Sequence, residues 1–294
     1  MRDRNRRKQQ APPKAPDRLA VLKVIKQLEW EGRFDVDAEE DPPTIPLLPD
    51  MVDYLKVRPD SIIKRNTAYL IANRFVDKLI REKKLVIKKV YGMEYLDRLD
   101  MGAVITCNHF NPFDCFTVER IFQRSKQYRK RRLFKVIREG NYTNFPGFYG
   151  YLFRNCDTLP LSGNKKTMYN FLMAVDTILQ RGDFILIYPE QSLWWNYRKP
   201  KPLKNGAFKF AEKNHVPVLP IFICMEDGER IGNDGFPIQE YTIFISEPIY
   251  PKAGLTEREK AADMRDRNYE VWKNVYEGFY GIPLEYITEN MTER

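Results

Sequence analysis

Apolar residues recur every three to four positions in two N-terminal segments, which is the spacing of one face of an α-helix. Residues 17–30 carry a short stripe of this kind. Residues 61–84 carry a longer one, made of Ala68, Ile71, Ala72, Phe75, Val76, Leu79 and Ile80. Residues 31–50, between the two stripes, are acidic and rich in proline, so we predict a linker or extended arm there. Residues 1–16 are charged and contain proline, which predicts a disordered basic tail.

From residue 85 the pattern changes to short apolar runs that alternate with helical patterns. The runs predict strands at 85–90, 103–107, 133–137, 157–161, 184–188, 217–224 and 241–246. The helical patterns cover 111–126, 146–154, 164–181 and 204–213. We therefore predict an α/β domain over 85–250, with a mixed, largely buried sheet of about seven strands flanked by helices. Residues 17–84 form a helical N-terminal extension to it. Residues 251–294 predict a helical tail, with a long polar helix from Thr256 and a short one after Pro283.

The chain is basic, with a formal net charge of +9 over 294 residues, which favours anionic partners. Nine Lys or Arg and no acidic residue lie between Arg120 and Arg138. This run is either a solvated surface or a surface that faces an anion. No helix-turn-helix pattern or aromatic-rich RNA-binding signature accompanies it, so we predict no nucleic-acid partner.

The four cysteines form no C-x-x-C pair and have no metal-like spacing, which indicates buried free thiols in a reducing compartment and predicts no metal site. No apolar segment follows the basic N-terminus, so a secretory signal is not expected. No apolar run approaches the roughly 20 residues of a membrane-spanning helix. We therefore predict a cytoplasmic protein without a transmembrane helix.

The segment from Thr106 to Phe116 holds one of two histidines in the chain. His109 follows the predicted strand at 103–107, and ligands bind at the carboxyl ends of strands in open α/β sheets. The pair Asn111-Pro112 reads as the cap and first residue of a helix, which would place Asp114 in its first turn.

A chain reversal between His109 and that helix can lay the imidazole against the Asp114 carboxylate. An aspartate on one ring nitrogen fixes the tautomer and supports the charge that forms when the other nitrogen takes a proton. This is what a histidine base acting on an alcohol requires. The alternative is that Asp114 only complements the helix dipole and His109 only makes local hydrogen bonds.

Four segments in this order resemble the conserved blocks of the glycerolipid acyltransferase superfamily, whose best-known members are the 1-acylglycerol-3-phosphate acyltransferases. Asn108-His109 with Asp114 is similar to the first block, N-H-x4-D. Residues 150–161 resemble the second block and Tyr188-Pro189-Glu190 the third, F-P-E-G-T-R. Residues 216–220 resemble the fourth, V-P-x-x-P, and Gly92 resembles a glycine in the lead-in strand. The resemblance covers roughly residues 85–247.

The resemblance implies an O-acyltransferase, which moves a fatty acyl chain from acyl-CoA or acyl carrier protein to a hydroxyl of a lysophospholipid such as 1-acylglycerol-3-phosphate. His109 would be the general base and Asp114 would orient it, with no metal or cofactor. Such an enzyme would contact an anionic membrane peripherally, at its inner face. The candidate substrate-binding residues are Asn108, Pro189, Glu190, Arg198, Lys204 and Gly206.

The sequence departs from the family pattern at the positions that bind the acceptor phosphate in the family. Leu193 stands at the arginine of the third block, and Leu161 ends the second block where another arginine is usual. Nearby cations could substitute: Arg154, Lys165, Lys166, Arg198 and Lys204. Otherwise the acceptor is not lysophosphatidate, or the chain binds lipid or a membrane surface without catalysis.

Two features allow either a packing or a lipid-binding role. Trp194, Trp195 and Tyr197 form a packed loop or an aromatic lip for an acyl chain or bilayer. The helix at 61–84 packs on the α/β domain or touches a membrane with its cationic face. His215 precedes a strand in a loop, and we interpret it as structural.

Overall fold

The computed structural model describes residues 12–40 and 43–289. Its strands are β1 (Val86–Tyr91), β2 (Ala103–Thr106), β3 (Leu133–Ile137), β4 (Thr158–Pro160), β5 (Phe184–Ile187), β6 (Val218–Ile231) and β7 (Pro237–Ile245). Two helices precede them, α1 (Pro16–Trp30) and α2 (Pro59–Arg81). The others are α3 (Met93–Asp97), α4 (Asp114–Arg124), α5 (Glu139–Thr143), α6 (Gly147–Asn155), α7 (Lys165–Gln180), α8 (Gly206–Lys213) and α9 (Glu257–Tyr280).

The strands form one sheet of seven in the order β1-β7-β6-β2-β5-β3-β4. Strands β6, β2, β5, β3 and β4 pair in parallel, whereas β7 runs antiparallel to β6 and parallel to β1. The predicted mixed, seven-stranded α/β sheet is therefore confirmed. Strand β2 lies between β6 and β5, so the segment that follows it lies near the middle of the sheet's carboxyl edge.

Helices bury both faces of the sheet, because side chains alternate between the faces along each strand. Val104 and Ile185 face a core shared with α7, α8 and α9, whereas Ile105 and Leu186 face a core shared with α2, α3 and α4. This double burial is why the central strands read as unbroken apolar runs.

Gly92, in the turn after β1, has a backbone that demands glycine. Its φ is +77°, and a Cβ placed there would lie 1.9 Å from the carbonyl oxygen of Ile245. Gly92, which resembles the family's lead-in glycine, is therefore the point where the turn after β1 makes close contact with the end of β7.

The N-terminal extension is docked on the α/β domain. Ala15 already donates its backbone N–H to Asp234, so the predicted tail is shorter than expected; residues 1–11 lie outside the described residues. The described part of the predicted linker also packs closely, since Leu47 is fully buried and its N–H donates to Glu139. Of the linker and the extended arm predicted at 31–50, the described part is therefore an arm that packs on the domain; acidic and proline-rich composition does not reveal the partner surface.

Helix α9 covers the sheet face that it shares with α7 and α8. It begins at a capping box of Thr256 and Glu259, and it buries Trp272 against Phe222 of β6. Residues 283–288 hold no regular structure and residue 289, the last described, is helical, so the short helix predicted after Pro283 does not begin before residue 289. Within 12–40 and 43–289, no helix combines the length and apolarity needed to span a bilayer.

A buried ion cluster fastens α2 to the sheet and gives a first prediction. Asp157 accepts hydrogen bonds from Arg65 of α2 and from Arg132, which precedes β3. Burial alone would raise the pKa of Asp157, but these two cations hold it below its ordinary value. Asp157→Asn removes the charge that both guanidiniums share, so we expect the free energy of unfolding near pH 7 to fall by about 3–5 kcal/mol.

The lowered pKa also fixes the pH dependence. The carboxylate stabilises the folded chain above the unfolded pKa of an aspartate, and this contribution disappears as pH falls through the folded value. The difference between wild type and Asp157→Asn in urea denaturation should therefore shrink in acid. The control is Asp60→Asn, whose exposed carboxylate pairs with Lys64 and should change little. Equal effects of the two substitutions would contradict the assignment.

Candidate active site

The candidate site lies where β2 and β5 end side by side. The two strands are parallel and in register from Ala103 with Phe184 to Thr106 with Ile187. Their carboxyl ends therefore meet at one edge of the sheet, which brings the segment 107–113 against the segment 188–197. The sequence predicted polar side chains in both segments.

His109 contacts Asp114 as the spacing allowed. The His109 Nδ1 atom lies 2.7 Å from Asp114 Oδ2, which also accepts the backbone N–H groups of Phe110 and Asn111. The Asp114 side chain is 1% exposed and that of His109 is 24% exposed. With its proton on Nδ1, the imidazole donates to the carboxylate and keeps Nε2 as a proton acceptor.

Tyr188 supports both members of this pair, and the sequence interpretation did not assign it to the site. Its hydroxyl donates to Asp114 Oδ1 at 2.7 Å, and its ring stacks on the imidazole of His109 with centroids 4.1 Å apart. Burial, and next the charge of Asp114, raise the pKa of Tyr188 well above its ordinary value, so the phenol stays a donor. The available signal was a tyrosine where the family block has phenylalanine.

The helix after His109 starts later than predicted. Asn111 accepts the N–H of Phe113 with its side chain and that of Asp114 with its carbonyl, so residues 111–113 form a turn. Helix α4 then begins at Asp114 itself. The side chain of Asn111 stabilises a turn here instead of capping the helix.

Glu190 fixes the backbone of His109 through a hydrogen bond. Its Oε2 accepts the His109 N–H at 3.0 Å and its Oε1 accepts the Lys201 N–H at 2.8 Å. The Lys201 ammonium lies 3.4 Å from Oε2 and donates to the carbonyl of Ser192. Both residues are 1% exposed, and this burial lowers the pKa of Lys201. Lys201 was missed because a lysine in a basic loop reads as exposed.

Asn108 is a brace between strands. Its amide donates to the carbonyl of Ile223 and accepts the N–H of the same residue, which fixes the end of β2 to β6. The predicted contact of Asn108 and Glu190 with a substrate stays a prediction. Their polar atoms are directed at the protein's own backbone.

The remaining predicted substrate-binding residues lie along the loop after β5. The carbonyl of Pro189 accepts the Lys204 N–H, and the Lys204 ammonium pairs with Asp35 at 2.7 Å. Arg198 pairs with Asp227 of β6 at 2.7 Å. Gly206 starts α8, and a Cβ there would meet nothing within 4 Å, so no close backbone approach demands a glycine.

The aromatic loop is packed. Trp194 is fully buried and Trp195 nearly so, in a cluster with Phe34 of the arm and Phe236 of the β6–β7 hairpin. Of the two alternatives for these tryptophans, the packed loop is therefore the one that the structure shows, since their rings fill the seam between the arm and the domain.

Several cations of the basic run also have internal partners. Arg120 pairs with Asp77, and Lys135 pairs with Glu119. Arg132 belongs to the Asp157 cluster. Much of this run therefore ties elements together. Among residues 12–40 and 43–289, no group of His, Cys, Asp and Glu is arranged to hold a metal ion.

The buried Glu190–Lys201 pair leads to a prediction about the free energy of unfolding. Lys201→Met leaves a buried carboxylate beside Asp114 without its cation, so we expect a loss of about 3–5 kcal/mol in the free energy of unfolding, measured by urea denaturation. Lys213→Met is the matched control, because Lys213 forms an ion pair with Asp176 while 62% of its side chain is exposed. It should cost less than about 1 kcal/mol. Comparable losses would mean that the buried pair does not hold this loop.

Known proteins resemble this chain in sequence and in fold. The sequence model of the family described as Acyltransferase matches residues 88–224. The fold is similar to the crystal structure of the 1-acyl-sn-glycerophosphate acyltransferase PlsC from Thermotoga maritima, with a TM-score of 0.51 and 20% identity, covering 79% of this chain and 87% of that one. No curated protein sequence matches the chain. The matched segment contains His109, Asp114 and Glu190, so over residues 88–224 the chain is similar to the Acyltransferase family, and its fold is similar to that of a 1-acyl-sn-glycerophosphate acyltransferase.

Proposed function

We propose that the protein transfers a fatty acyl group from an acyl thioester to the hydroxyl of a glycerolipid acceptor, with His109 as general base. One observation carries the proposal: a buried carboxylate, Asp114, lies 2.7 Å from Nδ1 of an imidazole that stays partly exposed. The buried side holds the ring, and the exposed side is left for a substrate. The match of residues 88–224 to the Acyltransferase family model supports the reaction class.

The proton path follows from this geometry. His109 Nε2 takes the proton of the acceptor hydroxyl as that oxygen attacks the thioester carbonyl. The C–S bond then breaks, and the imidazolium returns the proton to the departing thiolate. Asp114 supports the positive ring throughout, while the Tyr188 hydroxyl and two backbone N–H groups keep the carboxylate in place. No acyl-enzyme intermediate is required.

Charge and surface support a proposal for the donor and for the location. Coenzyme A and acyl carrier protein are both anionic, and a chain of net charge +9 attracts either. Ile62, Ile63 and Leu70 of α2 are exposed beside Lys64, which supports a peripheral contact of this helix with an anionic lipid surface. A cytoplasmic enzyme at the inner face of a membrane fits these features.

The mechanism predicts the effect of removing the base. His109→Ala should keep the fold and lower kcat for thioester cleavage by about 10²- to 10⁴-fold, because the base that takes the hydroxyl proton is lost. Asp114→Asn should be severely impaired too, since an amide does not support the charged ring. Free thiol release, measured with a thiol reagent, reports the rate, and product lipid is identified by mass spectrometry.

His215→Asn is the matched control. This second histidine is exposed, its backbone is left-handed at φ +54°, and asparagine tolerates that conformation. It should retain wild-type activity and melting temperature. Full activity in His109→Ala would overturn the mechanism, and lipid binding without turnover by the wild type would favour a non-catalytic lipid-binding protein.

A further inference from the structure

A short acidic stretch of the N-terminal arm lies on the loop that follows β5. The Leu193 N–H donates to Asp37 Oδ1 at 2.7 Å, and the indole of Trp194 donates to the carbonyl of Val36 at 2.7 Å. The backbone N–H of Trp194 in turn donates to the carbonyl of His109 at 3.4 Å. The Asp37 carboxylate is therefore bound one residue away from the backbone contact with the candidate base.

Arg138 completes the surroundings of this carboxylate. It directly follows β3, the strand beside β5, and its guanidinium pairs with Asp37 while donating to the carbonyl of Gln191 at 2.7 Å. A guanidinium beside a backbone N–H is the donor set that proteins use to bind phosphate or carboxylate. At the edge of the active site, the chain fills such an anion site with its own side chain.

The other cations of this edge are balanced in the same way. No Lys or Arg lies in the segment 107–113 after β2. In the segment 188–205 after β5, every cation has a carboxylate partner: Arg198 with Asp227, Lys199 with Glu29, Lys201 with Glu190, and Lys204 with Asp35. The edge of the sheet around His109 therefore has no surplus of positive charge.

These pairs differ in strength. Lys204–Asp35 and Arg198–Asp227 are exposed, and exposed ion pairs are weak, so a ligand could displace them. The side chain of Asp37 is 17% exposed and has both a guanidinium and an N–H as partners. Lys165 and Lys166 begin α7 after β4, three strands and about 14 Å across the sheet from β2. Asp37 is thus a less exposed carboxylate at this edge, connected to His109 through the backbone of Leu193 and Trp194.

We propose that Asp37 is a specificity-determining residue that adapts the site to a hydroxyl-bearing lipid with a neutral or zwitterionic head group, and against one with a phosphate monoester. The inference rests on the proposed acyl transfer and names its acceptor class. A phosphate monoester carries about 1.5 to 2 negative charges near pH 7, and would meet the Asp37 carboxylate where it needs a cation. An uncharged or zwitterionic head group meets a balanced surface.

Acceptor ranking by the wild-type full-length chain tests the proposal directly. Three acceptors with one acyl chain are compared in neutral detergent micelles: a monoacylglycerol, 1-acylglycerol-3-phosphocholine and 1-acylglycerol-3-phosphate. Oleoyl-CoA and oleoyl-acyl carrier protein serve as donors. We expect kcat/KM for the phosphate monoester to be about tenfold or more below that for the better of the other two.

Asp37→Asn should narrow this discrimination between acceptors, because it removes the negative charge that an incoming phosphate would meet beside Arg138 and the Leu193 N–H. The ratio of kcat/KM for the phosphate monoester to that for the preferred acceptor should rise by about tenfold. Adding Arg138→Met to this variant should cancel the rise. Asp176→Asn is the control: Asp176 is also 17% exposed and ion-paired, but it lies in α7, with Lys213 as its partner. It should leave the ratio unchanged.

Each outcome separates the two levels of inference. A wild type that prefers the phosphate monoester, or an Asp37→Asn ratio equal to that of Asp176→Asn, overturns the assignment of Asp37 and leaves acyl transfer standing. Thioester that persists with every acceptor and both donors overturns acyl transfer itself. If thermal melting shows that Asp37→Asn does not fold, the wild-type ranking alone decides.

Discussion

Two buried carboxylates, those of Asp114 and Glu190, hydrogen-bond to His109, and the surrounding structure supplies their other hydrogen-bond donors. Asp114 and Glu190 are each 1% exposed. A single buried ammonium, that of Lys201, accompanies them, so backbone N–H groups and a phenol supply the other donors. Unpaired buried charge is so costly that the turn at 111–113 and the loop after β5 are held in place by these bonds. A precisely placed His109 is the result.

The sheet was predictable because burial on both faces leaves a strong local signal. Central strands become unbroken apolar runs, and the helices between them keep their three-to-four spacing. His109 and Asp114 were predictable as a pair for a similar reason, since they are only five residues apart and a single turn joins them. The start of α4 was misplaced because Asn-Pro is a signal for turns as well as for helices.

What could not be predicted is contact between distant segments. Lys201 sits in a basic loop, and nothing local indicates that its ammonium is buried against Glu190. Asp37 belongs to an acidic, proline-rich stretch whose composition is typical of a linker, yet its carboxylate caps Leu193, a residue 156 positions away. In both cases the partner surface exists only after the chain has folded, so composition describes the segment alone.

The brace made by Asn108 has a consequence for how the site comes into being. Its amide hydrogen-bonds to Ile223, which lies 115 residues further along the chain. The neighbouring His109 N–H donates to Glu190, 81 residues away. Contacts between such remote positions carry a large entropic cost until most of the chain has collapsed. We therefore expect the loop that bears His109 to acquire its shape late, after β6 has joined the sheet. A nascent chain that ends before residue 223 holds the histidine and the aspartate but has no strand to fix them against.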